Sequence, residues 1–153
     1  MKTKLASLAL VVGLGLAPAL LAAPAHAVDE MMSTDAPDLT SVRAKIKAKD
    51  YAAALSELRK LADKVQHADV YNLLGFALRK TGDFTTSLTS YTKALEMQPD
   101  HKAAREYLGE LYVETGNIEK AREQLAILTR LCPGGCEERD DLQKAISAKS
   151  ASN

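Results

Sequence analysis

Cys132 and Cys136, the only two thiols of the 153-residue chain, bracket Pro133-Gly134-Gly135. Such a pair can form a structural disulfide, a redox-active dithiol, or part of a soft-metal site. Redox motifs of the thioredoxin kind leave two residues between their cysteines inside a βαβ pattern. Here three intervene, and no such pattern surrounds them. A metal would need further ligands, for which His67 and His101 are the candidates. They stand 34 residues apart, and equivalent positions on stacked helical hairpins lie about 8–10 Å apart, too far to share one ion. A disulfide across this turn is within geometric reach. It would stabilise the fold by about 2 kcal/mol in the chain-entropy account. The acid pairs Glu137-Glu138 and Asp140-Asp141 suit a solvated helix start. No Gly-x-Ser-x-Gly, His-Glu-x-x-His or phosphate-cradling glycine loop occurs. The expectation is a protein that is not an enzyme and needs no cofactor.

The start of the chain addresses the compartment. Lys2 and Lys4 precede an apolar run from Leu5 to Leu21, and Ala25-His26-Ala27 follows with small residues flanking a spacer. This is the pattern of a cleavable secretory signal over 1–27, cut after Ala27. The alternative is a membrane anchor. Gly13, Gly15, Pro18 and Pro24 weaken that reading, and no basic stop-transfer cluster follows. No cysteine sits just after the run to carry a lipid. The expected protein is therefore periplasmic or secreted, with no membrane span after cleavage. Loss of Lys2 and Lys4 leaves 18 basic residues against 20 acidic ones. That balance argues against nucleic acid as a partner. Alanine and leucine dominate the remainder and tryptophan is absent, a helical composition.

Residues 68–101 superpose on 102–135 with a shift of 34. Leu74-Gly75 falls on Leu108-Gly109, Thr81-Gly82-Asp83 on Thr115-Gly116-Asn117, Ser87 on Ala121, and Pro99 on Pro133. The glycines at Gly75 and Gly109 allow a neighbouring helix to approach closely. Each triplet ends one helix and caps the next, and each proline stops the second helix. These residues resemble the tetratricopeptide repeat, a helix–turn–helix of about 34 residues, with Tyr71 and Arg105 where that family usually has tryptophan. Upstream, residues 37–67 read as a degenerate copy. Lys49-Asp50 replaces the glycine turn there, leaving that turn one residue short. Downstream, Leu142, Ala145 and Ile146 line one face of a closing helix over 137–148, the polar-faced lid that a solenoid needs. The expected fold is all-α, a right-handed α-solenoid of about three hairpins plus a C-terminal capping helix. Residues 28–36 read as a flexible lead-in and 149–153 as a disordered tail.

The resemblance implies a concave groove lined by the first helix of each hairpin, suited to a peptide segment or a helix. Its inward positions correspond here to Asp69, Asn72, Leu73, Phe76, Arg79 and Lys80, then to Ala103, Glu106, Tyr107, Glu110, Val113 and Glu114. Thr40, Ala44 and Lys47 are the counterparts in the first repeat. On this reading the groove is basic toward Lys47, Arg79 and Lys80 and acidic along Glu106, Glu110 and Glu114. Phe76 and Tyr107 either anchor a partner there or pack between helices. One branch of the family holds a C-terminal carboxylate with lysine, asparagine and arginine. The corresponding positions carry Thr40, Ala44, Leu73, Ala103 and Tyr107, so that specificity does not transfer. The expected function is an adaptor or scaffold that binds an unidentified protein partner. The alternatives are a thiol–disulfide or soft-metal protein acting through Cys132 and Cys136, and a self-assembling scaffold that forms homo-oligomers.

Overall fold

A computed structural model describes residues 36–151. The expected signal over 1–27, the lead-in up to Asp35 and the last two residues lie outside the described residues. Within them run seven helices: α1 (Thr40–Lys47), α2 (Tyr51–Ala62), α3 (Ala68–Lys80), α4 (Phe84–Met97), α5 (Lys102–Glu114), α6 (Ile118–Leu131) and α7 (Glu137–Ala151). They pair as three hairpins, α1/α2, α3/α4 and α5/α6, and α7 packs alone on α5 and α6. The helical-hairpin solenoid expected from the repeat is what the chain builds.

The turns inside the hairpins follow one chemistry. Gly82 and Gly116 take φ of 87° and 80°. The amide of the residue after each reaches back to the last turn of the preceding helix, from Asp83 to the Leu78 carbonyl at 3.0 Å and from Asn117 to that of Tyr112 at 2.7 Å. This is the Schellman arrangement, and it needs a left-handed residue. Asp83 then caps α4 by accepting from the Thr86 amide at 3.1 Å. Asn117 does not cap with its side chain; its amide donates instead to the Thr115 hydroxyl at 3.2 Å.

The first hairpin corrects the sequence expectation. Its turn is not one residue short. Ala48-Lys49-Asp50 matches Thr81-Gly82-Asp83 residue for residue: Lys49 takes φ of 60°, and the Asp50 amide donates to the Lys45 carbonyl at 2.9 Å. The missing residue falls instead between α2, which has 12 residues against 14 in α4, and α3. A lysine in the left-handed region costs about 1–2 kcal/mol that glycine does not. Lys49→Gly is therefore expected to raise stability by about 1 kcal/mol, read as a higher urea midpoint at unchanged slope.

Both prolines act through the residue before them, which a following proline disfavours in the helical region. Gln98 is extended at φ −138°, Cys132 leaves the helical region at φ −129° and ψ 67°, and α4 and α6 stop one residue earlier. The helical glycines serve close packing. A Cβ on Gly75 would meet the ring of Tyr91 on α4 at 2.7 Å, and one on Gly109 would meet Leu142 of α7 at 2.5 Å. The fully buried Ser87 also donates to the Gly75 carbonyl at 2.7 Å. Where the family's tryptophan is absent, Tyr71 accepts from Gln66 at 2.8 Å. Arg105 ties the Pro99 carbonyl to Gln124.

The closing helix seals the array with Leu142 and Ile146, which join Val113, Ala121 and Leu128 in one cluster. It runs to Ala151, three residues past the expected end. No glycine or proline interrupts it there, and Ser150 back-bonds to the Ile146 carbonyl at 3.0 Å.

Candidate functional site

The first helices of the three hairpins supply the concave face, and their side chains sort into three groups. The centre is aromatic. Phe76 of α3 and Tyr107 of α5 are half-buried, with ring centroids 5.0 Å apart. Tyr51 stands edge-on to Phe76 at 6.3 Å, and the fully buried Tyr91 lies 6.4 Å behind Tyr107. Phe76 and Tyr107 each pack between helices and also line the open pocket between α1, α3 and α5. They wall this pocket, of about 230 Å³, with Arg43, Ile46, Lys47 and Leu73.

Of the charges that the sequence expectation placed in the groove, Lys47 stays on the pocket wall, while Arg79, Glu110 and Glu114 pair with one another. Arg79 is not a groove cation; its side chain is 2% exposed. One guanidinium nitrogen donates to Glu110 and the other to Glu114 at 2.7 Å. Its carbon lies 5.6 Å from the Phe76 centroid and 5.9 Å from that of Tyr107. Burial by itself would lower the Arg79 pKa, but Tyr91, Glu110 and Glu114 outweigh it and hold the group above the usual arginine value. Two of the three supposed groove acids therefore belong to a neutralising clamp. Lys80, exposed at the end of α3, sits 5.3 Å from the Phe76 centroid.

Glu106 is different. It is 8% exposed, and burial, with Glu110, Asp141 and Glu138 nearby, pushes its carboxyl up to about 8. Asn72 is buried rather than groove-lining, and its Oδ1 has no hydrogen-bond partner among the described residues. Lys47 lines the pocket, while Thr40 and Ala44 are exposed and line none of its wall. Arg43 and Ile46 were missed. They follow from the corrected register, which sets Arg43 opposite Phe76 and Ile46 opposite Arg79 in the repeat.

The two histidines act as helix caps. The Nδ1 of His67 accepts from the Asp69 amide at 3.2 Å, and that of His101 from the Ala104 amide at 3.2 Å. With Nδ1 of His101 accepting, its Nε2–H is the donor to Asp69 Oδ1 at 2.9 Å. Both ring nitrogens of His101 are thereby occupied. At the far end, Cys132 and Cys136 lie with Cα atoms 5.8 Å apart and sulfurs in contact. Gly135 between them takes φ of 98°, and its amide donates to the Cys132 carbonyl at 2.9 Å.

Stacked helical hairpins with an aromatic pocket shared by their first helices define a helical-repeat protein. Residues 73–135 match the tetratricopeptide repeat family model, and this stretch of the chain carries tetratricopeptide repeats. It is 31% identical over 102 residues to protein FlbA of Caulobacter vibrioides, covering 66% of this chain and 17% of that protein. It is 32% identical over 66 residues to the uncharacterized protein ycf37 of Guillardia theta, covering 43% of this chain and 37% of that one. The chain thus spans well under half the length of either curated relative. Among solved structures it is similar to the type III secretion translocator chaperone SycD of Yersinia enterocolitica, crystallised as an alternative dimer. The TM-score is 0.65 at 13% identity over 76% of this chain and 96% of that one, a likeness of fold.

Proposed function

We propose that this protein is an exported adaptor that holds a segment of a partner protein in its concave groove. The observation that carries the reading is the pocket of about 230 Å³ between α1, α3 and α5, where Phe76 and Tyr107 keep open faces beside Arg43 and Lys47. Half-buried aromatics beside cationic side chains are the usual anchors of a protein interface. The chaperone named among its structural neighbours accords with a protein partner. The signal-like start accords with export, which a mass measurement on the secreted or periplasmic form tests through a first residue of Val28. For the groove, the test is crosslinking of the tagged protein in its native compartment. A specific partner should be recovered with the wild type and lost with Phe76→Ala/Tyr107→Ala, itself folded by circular dichroism. Equal recovery with both would overturn the reading.

A second reading, self-assembly, draws on Phe84 and Leu88 of α4, which are 38% and 37% exposed. A mass that grows with concentration and returns to the monomer value in Leu88→Glu would favour it.

We assign Cys132 and Cys136 to a structural disulfide that ties α7 to the end of α6. Cys132 is 6% exposed, which disfavours thiol exchange at that sulfur. Reduction, or Cys132→Ser/Cys136→Ser, is expected to cost about 2 kcal/mol while leaving partner capture intact at temperatures where the variant stays folded. Loss of capture from a folded variant would favour the thiol reading instead.

A further inference from the structure

The concave side holds a second cavity, of about 240 Å³, between α5 and α7. It is lined by Ala103, Glu106, Tyr107, Glu137, Glu138 and Asp141. Four of those six residues are carboxylates, and none is basic. The acids on α7 have ordinary explanations. Glu137 and Glu138 stand in the first turn of α7, where the helix dipole favours negative charge. Asp141 accepts from the exposed Lys144 at 2.8 Å.

Glu106 has no such explanation. It sits inside α5, more than nine-tenths buried. No hydrogen bond or ion pair contacts it among the described residues, and the forces acting on it are burial and neighbouring charges. The one nearby cation, Arg79, is committed to Glu110 and Glu114. The carboxyl oxygens still reach the cavity, and a charge held there, unpaired and among further acids, is costly.

We propose that this cavity is a socket for a cationic side chain, the guanidinium or ammonium of an arginine or lysine in the partner segment. The assignment rests on the groove reading above and gives the partner its chemistry. Tyr107 belongs to both cavities, so a segment lying across it meets the aromatic pocket on one side and the acidic socket on the other. The partner carries an apolar residue for the first and a cation for the second. The tyrosine face itself favours a cation over it. An organic cation suits the site better than a metal, because no group of three such ligands converges on an ion site among the described residues. A planar guanidinium, with donors in several directions, can meet Glu106 from α5 and Glu138 from α7 together.

The test uses the purified protein and two probes of nearly the same shape, Nα-acetyl-L-argininamide and its uncharged counterpart Nα-acetyl-L-citrullinamide, followed by NMR. The charged probe should shift the Glu106 and Tyr107 resonances at millimolar concentration. The neutral one should bind at least about 10-fold more weakly, the difference expected for losing one charge-assisted contact. Glu106→Gln should weaken the charged probe about 5-fold or more, and the half-buried Glu138→Gln by a smaller factor. Because the ionised carboxyl is the form that pairs, affinity should rise from pH 6.5 to 8.5 in the wild type and stay flat in Glu106→Gln. The groups facing Glu106 across this range are Arg79 of α3, Tyr107 and Glu110 of α5, and Glu137, Glu138 and Asp141 of α7. Equal shifts from the two probes, shifts from neither, or unchanged binding in a folded Glu106→Gln would each overturn the socket. Failure of the groove reading shows differently: the charged probe would still bind, while Phe76→Ala left partner crosslinking untouched.

Discussion

Replacing Glu110 and Glu114 together by alanine should destabilise the fold by about 3 kcal/mol, while Arg79→Met should cost less than half as much. The asymmetry comes from which charge is left behind. Without its carboxylates, Arg79, whose side chain is 2% exposed in the intact clamp, keeps a guanidinium that has lost both of its ion-pair partners. Its Nε already lacks a hydrogen-bond partner among the described residues. Without Arg79, by contrast, the carboxylates can turn outward, since Glu110 and Glu114 are 26% and 40% exposed in their side chains. Their partial exposure also places the double-alanine cost at the low end of what breaking a buried pair brings. Methionine would fill most of the arginine's volume and keep a favourable sulfur contact with Phe76 and Tyr107. Urea unfolding of the two variants at pH 7 measures the difference. Equal losses would mean that Arg79 stabilises by its packing over the rings and that the ion pairs contribute little.

That clamp also shows where reading the sequence succeeds and where it stops. The 34-residue repeat, the left-handed turns at Gly82 and Gly116, the stops before Pro99 and Pro133 and the closing helix all follow from local chemistry, because each depends on residues close together in the chain. Whether a charged side chain faces water or a neighbour does not. Arg79 and Glu110 are 31 residues apart, and only the stacking of α3 on α5 brings them together. An alternation of basic and acidic positions along a groove looks the same in sequence whether the charges stay separate or cancel. The first repeat misled for a different reason. Without a glycine at Lys49 the turn looked deleted, and moving the gap there hid Arg43 and Ile46 from the list of groove residues. The positive φ at Lys49 was the one fact that sequence pattern could not supply. Once it is known, the two missing groove residues follow from the register alone. The acidic socket was half legible. Glu106 was expected in the groove, but Glu138 and Asp141 belong to the lid, and their approach to α5 depends on Leu142 seating over Gly109.

Glu106→Gln is expected to stabilise the protein at pH 7 by about 3 kcal/mol, which is unusual for a change at a buried side chain. Burial and the surrounding carboxylates raise the folded-state value to about 8 from an ordinary 4.5. Between those two values the folded chain keeps a proton that the unfolded chain has released. Stability contributed by this group is therefore greatest below about pH 4.5, declines as the pH rises toward 8 and levels off above it. Glutamine has the same shape and no proton to lose, so the variant lacks that slope. The two proteins should be nearly equal at pH 4.5 and diverge steadily to pH 8, as urea unfolding at several pH values would show. Parallel curves would mean that water reaches Glu106 freely and that its burial costs little. A divergence would mean that the fold keeps, on its concave face, a residue that weakens it. Stability alone gives no reason to keep a carboxyl there when glutamine serves better. A partner cation does give one, since pairing with the ionised form removes the penalty and turns the same buried charge into a source of affinity.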